Sequence, residues 1–180
     1  MIEKKKVGII DYGAGNLGSM YNAIKYLNAP TEIISSPKNI DRFSHLILPG
    51  VGSFGTLSSN LKKKNWPDEI KKFIKKGKSL LGVCVGMQLL FERSDESKGS
   101  SGLSLIKGSF QVFNDSNKLP LPHIGFNEVI HNKTPIWKGI ENNSSFYFIH
   151  SFKITKINDD VITSKTTYGD EFISFVEKDN

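Results

Sequence analysis

The apolar positions of this chain follow two patterns. In the first half they cluster in short segments, Val7-Gly8-Ile9-Ile10, Thr31 to Ser35, Phe43 to Leu48 and Ser79-Leu80-Leu81-Gly82, of the kind that makes strands of a parallel sheet. Between the runs the spacing becomes helical. Leu17, Met20, Ile24 and Leu27 share one helix face. Trp66-Pro67-Asp68-Glu69-Ile70 opens another helix, with proline in the first turn, acids at the positive end, Ile70, Phe73 and Ile74 inside, and Gly77 as the stop. Alternation of buried strand and helix predicts an α/β fold, with a mostly parallel central sheet and helices on both faces. Ser94 to Ser101 is polar and reads as a surface loop. After Leu103 short strand-like segments take over: Gly108 to Phe113, Asn127 to Ile130, Ser145 to Ser151, Val161 to Thr167 and Phe172 to Val176, which predict an antiparallel extension in the C-terminal half. Because apolar segments resume so soon after the loop, a single domain over residues 1–180 is expected.

The fourth apolar run continues into Val83-Cys84-Val85-Gly86-Met87-Gln88-Leu89-Leu90-Phe91, so a buried strand turns directly into an apolar helix, expected over Val85 to Phe91. Cys84, the one cysteine of the sequence, stands at the bend. Glycines at 82 and 86 fit a place where backbone presses on backbone, and the side chain at the apex is pushed outward towards the first N–H groups of the helix. A thiol held there gains thiolate character and becomes a nucleophile near neutral pH. The alternative is that Cys84 is one more small buried apolar residue, and the flanking glycines speak against it.

Two further loops leave predicted strand ends, where ligands of open α/β sheets bind. Pro49-Gly50-Val51-Gly52-Ser53-Phe54-Gly55 follows the third run and can aim backbone N–H groups at a developing oxyanion, or simply make a tight turn. Gly13-Ala14-Gly15-Asn16-Leu17-Gly18 has the formal spacing of a dinucleotide-binding loop. The next strand ends in Ser35-Ser36 without the acidic residue that binds a ribose, and Glu32 lies at its wrong end, so a nicotinamide-dependent oxidoreductase is the weaker reading. His45 enters the third strand at the end away from these loops and reads as structural. His123 and His150 each stand among aromatics and are possible bases for Cys84. Metal-ligand spacing is missing around them, so no metal is expected.

Gly82-Val83-Cys84-Val85-Gly86-Met87-Gln88 resembles the signature of class I, triad-type glutamine amidotransferases. Asp11-Tyr12-Gly13-Ala14-Gly15-Asn16, Pro49-Gly50-Val51-Gly52, Pro122-His123-Ile124-Gly125-Phe126-Asn127 and Tyr147-Phe148-Ile149-His150-Ser151 narrow the resemblance to the glutaminase subunits of imidazole glycerol phosphate synthases. The resemblance implies a flavodoxin-like fold, Cys84 as nucleophile, and an oxyanion hole from the N–H groups of Val85 and of Val51 or Gly52. It also implies glutamine held by Gln88 and the segment around Ser151, and no cofactor. The partner it implies is a (β/α)8 barrel cyclase subunit that receives the ammonia, with Asn16, His123 and Phe126 near the shared face. Phe126 and Phe152 stand where the family has a tryptophan and commonly a tyrosine. The family's catalytic His-Pro-Glu segment is absent from the sequence, so a C-terminally shortened chain is expected, the alternative being a degenerate, non-catalytic binding module. Service to an amidotransferase of surface-sugar biosynthesis is the neighbouring pathway.

Composition changes this picture little. The net charge of +6 comes from lysine clusters such as Lys62 to Lys64 and Lys75-Lys76, without the interleaved aromatics of a nucleic-acid surface, so no nucleic acid is expected as partner. Val7 to Ile10 is too short for a signal peptide or a membrane span, and a lone cysteine suits a reducing compartment, so a cytoplasmic protein without membrane contact is expected.

Overall fold

A computed structural model describes residues 5–113 and 119–179, leaving aside the side chains of 155 and 156. The chain divides into two compact units, one built from the chain up to Arg93 together with Ser97–Leu105, the other from Ser94–Glu96 and Ile106–Asp179.

In the first unit the four apolar runs become β1 (Val7–Ile10), β2 (Thr31–Ile34), β3 (His45–Leu48) and β4 (Ser79–Gly82). They form a parallel sheet in the order β2-β1-β3-β4. The register sets Val7 beside Thr31 and His45, and Leu48 beside Gly82, so the loops after β1, β3 and β4 all leave the same edge. Helices α1 (Leu17–Tyr26), α2 (Phe54–Lys63), α3 (Trp66–Lys75) and α4 (Val85–Gln88) complete the unit. Ile9, Ile10, Leu46 and Leu48 from the sheet, with Trp66, Ile70 and Phe73 from α3, are buried in its core. α3 ends as its spacing foretold, at Gly77 with φ 75°, whose N–H donates to the Ile74 carbonyl.

Three local expectations change. Leu27, expected on the inner face of α1, lies just past the helix end and is 70% exposed. α2 was not foreseen, because Ser, Thr, Gly and Asn fill it. Its inner face, Phe54, Leu57, Ser58 and Leu61, nevertheless keeps a helical period, and the Ser53 hydroxyl accepts from the Thr56 N–H as an N-cap. The helix expected to reach Phe91 stops at Gln88. The segment 102–105 comes back across it, with Leu103, Leu105 and Ser104 donating N–H groups to the carbonyls of Leu89, Leu90 and Phe91. A helix cannot continue where its carbonyls are taken by another strand of chain.

The antiparallel elements expected after Leu103 form sheets of their own. One has the order β10-β11-β9-β6-β5, from Ile162–Tyr168, Asp170–Glu177, Phe152–Ile157, Gly108–Val112 and Arg93–Ser94. The other pairs β7 (His123–Glu128) with β8 (Ser145–His150), with His123 opposite His150 and Phe126 opposite Tyr147. β7 starts earlier than Asn127, and β9 was not among the expected strands. Among the described residues no helix is long and apolar enough to cross a membrane.

Candidate active site

The turn between β4 and α4 is held by backbone against backbone. A Cβ on Gly86 would lie 1.9 Å from the Leu48 carbonyl oxygen, and one on Gly82 would lie 2.7 Å from the Gly86 oxygen. The Val83 N–H donates to the Leu48 carbonyl at 3.0 Å, which ties the bend to the end of β3. Only glycine admits this approach. Cys84 consequently takes φ 55° and ψ −121°, a backbone state that side chains rarely adopt and that functional sites store. Its side chain is exposed. The alternative of a packed apolar cysteine therefore does not describe it.

The loop after β3 rests on the same turn. A Cβ on Gly50 would lie 2.2 Å from the Gly86 nitrogen and 2.7 Å from the Val85 carbonyl carbon. Beyond it the chain turns at Gly52, where φ is 141°. Within the elbow the Gly86 N–H donates to Val83, and the Met87 and Gln88 N–H groups both donate to the Cys84 carbonyl. Among the described residues, the N–H groups of Val51, Gly52 and Val85 meet no acceptor. Val51 and Gly52 are exposed. The Cys84 thiol therefore shares one sheet edge with donors from two loops that meet no acceptor among the described residues, an arrangement able to stabilise a tetrahedral oxyanion.

Gln88 closes the first turn of α4 and is 7% exposed, and its buried Oε1 has no hydrogen-bond partner among the described residues. A buried acceptor without a donor costs folding energy, so it is a natural place for a donor brought by a ligand. The structure also brings in a residue that sequence reasoning had not assigned. Tyr12, two residues past the end of β1, is fully buried and donates its hydroxyl hydrogen to the Pro49 carbonyl at 2.5 Å. Burial, and then the negative charge of an ionised Cys84, push its hydroxyl pKa up, so it stays protonated. Its signals in the sequence were a large ring at the second loop position after a strand and its place in the stretch Asp11 to Asn16.

The glycine loop of the dinucleotide reading is filled by protein. A Cβ on Gly13 would meet Asn60 Nδ2 at 2.9 Å, and one on Gly15 would meet the Val51 Cβ at 3.5 Å. Asn16 caps α1 in the left-handed region, at φ 66°, and is exposed. His45 pairs in register with Ser79, at the start of β4, whereas Cys84 follows its end. It therefore cannot serve Cys84 as base, in keeping with its structural reading.

Ser151 and the remaining histidines belong to the second unit. Ser151 is half-buried between β8 and β9, and its carbonyl accepts from the Phe113 N–H. His150 donates Nδ1–H to the Phe152 carbonyl, which leaves Nε2 to accept from His123 Nδ1 at 2.9 Å. His123 Nε2 faces Asn127 Oδ1 at 2.8 Å, and the Asn127 amide is oriented by its Nδ2 bond to the Thr167 carbonyl. Burial pushes the His150 pKa down. His123 is 1% exposed, stacked between Phe148 and Tyr168, so its side chain is not part of a surface and the expectation of a partner contact there is corrected. Alternation along β7 turns His123 inward and Phe126 outward, and Phe126 is 73% exposed. Among the described residues no cluster of three metal-ligating side chains occurs.

Comparison with known proteins bears on this arrangement. The family profile described as "Glutamine amidotransferase class-I" matches residues 8–180. The chain belongs to the class I glutamine amidotransferases. Relatives in this family include the imidazole glycerol phosphate synthase subunit HisH of Helicobacter hepaticus, 39% identical over 99% of this chain and 88% of the relative. The HisH subunit of Methanocaldococcus jannaschii is 43% identical over 97% of this chain and 86% of the relative. Among solved structures, a glutamine amidotransferase superposes with a TM-score of 0.75 at 17% identity, covering 96% of this chain and 84% of its own. A glutamine amidotransferase of Thermotoga maritima does so with a TM-score of 0.65 at 16% identity, covering 98% and 72%. At these identities the superpositions speak for the α/β amidotransferase fold.

Proposed function

We propose that the protein is the glutaminase subunit of an imidazole glycerol phosphate synthase of histidine biosynthesis. The Cys84 thiolate adds to the carboxamide carbon of glutamine, and the oxygen that becomes negative is held by the N–H of Val85 and of Val51 or Gly52. The C–N bond breaks as the nitrogen takes up a proton, ammonia leaves, and a glutamyl thioester remains. Water then adds to the thioester, releasing glutamate and restoring the thiol. Gln88 offers its Oε1, which has no partner among the described residues, to a donor of the bound glutamine. The reading needs no metal or organic cofactor.

The observation that carries this proposal is Cys84 at positive φ on a backbone-locked turn, with two loops presenting donors that meet no acceptor among the described residues. The HisH subunits at about 40% identity supply the substrate and the pathway. The partner on this reading is a (β/α)8 barrel cyclase that receives ammonia without its mixing into solvent, and the exposed Asn16 and Phe126 are offered for its docking.

Among the described residues His45 stands at the strand end away from Cys84, His123 and His150 are bonded to each other and to Asn127 and Phe152, and His131 stacks on Trp137. The second reading is a docking module that keeps the elbow without turnover. One assay separates the two: glutamate release by the natural gene product with its cyclase partner, beside the Cys84→Ala variant. A fall of at least about 1,000-fold in Cys84→Ala is expected for a lost covalent nucleophile. Turnover that survives Cys84→Ala sinks the mechanism, and a wild type that docks but releases no glutamate selects the second reading.

A further inference from the structure

The loop that supplies the oxyanion donors has no regular secondary structure between the end of β3 and the N-cap of α2, so something must fix its peptide planes. Steric contact at Gly50 fixes where the loop lies. It does not fix which way the Pro49 carbonyl turns, and in a planar peptide that choice also sets the Gly50 N–H and the direction in which the chain enters Val51 and Gly52. The Tyr12 hydroxyl reaches the Pro49 oxygen from the interior, at 2.5 Å, from a fully buried ring. It is held there by a second contact between the same two loops, the approach of Gly15 to Val51.

We infer that Tyr12 is a positioning residue for glutamine hydrolysis: its buried O–H pins the Pro49 carbonyl into the protein, so that the N–H groups of Val51 and Gly52 stay turned to the oxyanion. Three features make this more than packing. The bond runs to the loop that carries the donors and to no other element. The ring lies within electrostatic reach of Cys84, so the prop and the nucleophile share one site. A hydroxyl whose charged form is disfavoured by burial donates its proton without giving it up, so it orients the loop and leaves acid–base work to other groups. The effect falls on the transition state, because the carbonyl oxygen of bound glutamine asks little of these donors until it becomes negative.

The inference rests on the glutaminase reading, and the experiment separates the two. Tyr12→Phe keeps the ring and removes the donor. In the natural gene product with its cyclase partner, kcat for glutamine is expected to fall about tenfold or more, with KM changed less than about threefold, the signature of an interaction made only in the transition state. Inhibition by L-glutamate γ-semialdehyde, whose thiohemiacetal oxygen needs the same donors, should weaken by a similar factor. Alkylation of Cys84 by iodoacetamide, which needs the thiolate but no oxyanion hole, should stay within about twofold of wild type.

Unchanged kcat and semialdehyde inhibition in a folded Tyr12→Phe protein overturn the inference, as does an alkylation rate that falls in step with kcat. Should Tyr12→Phe not fold, 3,5-difluorotyrosine at position 12 serves instead. Its more acidic hydroxyl is a stronger donor, so semialdehyde inhibition should tighten by about twofold, and an unchanged value overturns the inference. A wild type without glutamate release defeats the glutaminase reading itself and this inference with it. Wild-type turnover beside an indifferent Tyr12→Phe defeats the inference alone.

Discussion

At the scale of single residues, the site is decided by where a side chain would not fit. Gly86 and Gly18 are both helical glycines, and a propensity argument treats them alike. In the fold, a Cβ on Gly86 would sit 1.9 Å from the Leu48 oxygen, whereas one on Gly18 would meet nothing within 4 Å. Gly86→Ala should therefore cost roughly 3 kcal/mol or more, through displaced backbone and a disturbed elbow. Gly18→Ala should add about 0.5–1 kcal/mol through the stiffer unfolded chain. Urea midpoints of the two variants check both signs, and equal shifts would refute the interlock. Cys84 and its flanking glycines were legible as such a bend. Tyr12 was not, since a buried tyrosine after a strand is ordinary until the atom that its hydroxyl meets is known.

At the scale of elements, polar residues decide how the β7–β8 hairpin is joined to its neighbours. His123, His150 and Asn127 point inward and are chained from the Thr167 carbonyl to the Phe152 carbonyl. The bond to the Phe152 carbonyl and the contact with His123 are both made when His150 carries hydrogen on Nδ1 alone. Imidazole 15N shifts should show that pattern in the folded protein at neutral pH, and a mobile mixture of tautomers on His150 would contradict it. A second consequence concerns pH. Burial, opposed by the bond to Phe152 and helped by His123, holds the His150 pKa below the value of 6.5 it has when unfolded. On acidification the unfolded state then takes up the proton first, so stability is full above about pH 6.5 and is lost as pH falls through the folded-state value. Urea midpoints taken from about pH 7.5 down to about pH 5 should decrease, and a His150→Gln variant should flatten this part of the profile. The sequence placed both histidines beside aromatics and left them open as bases. Strand pairing put them opposite one another, which sequence spacing cannot do.

At the scale of the molecule, each unit presents its own surface. In the second unit Ile124, Phe126, Tyr147 and Ile149 all point outward from β7–β8 and are 56%, 73%, 56% and 56% exposed. An apolar strip of this kind is a liability unless a partner covers it. On the proposed function that partner is the cyclase barrel, so Phe126→Asp should weaken its binding by at least about tenfold in calorimetry, with the thermal midpoint of the isolated subunit unchanged. Undiminished affinity would move the docking face elsewhere.

The strand runs of the parallel sheet, the stop of α3, the bend at Cys84 and the glycine loops at the strand ends are all legible from neighbouring residues alone. These follow from local chemistry: hydrophobic period, φ preference and the tolerance of glycine for close approach. The early end of α4, the separate antiparallel sheets, the inward turn of His123 and the grip of Tyr12 on Pro49 come instead from packing between distant segments. Each of those depends on a partner distant in the chain claiming a carbonyl, a ring face or a strand edge, and no local pattern records which partner arrives.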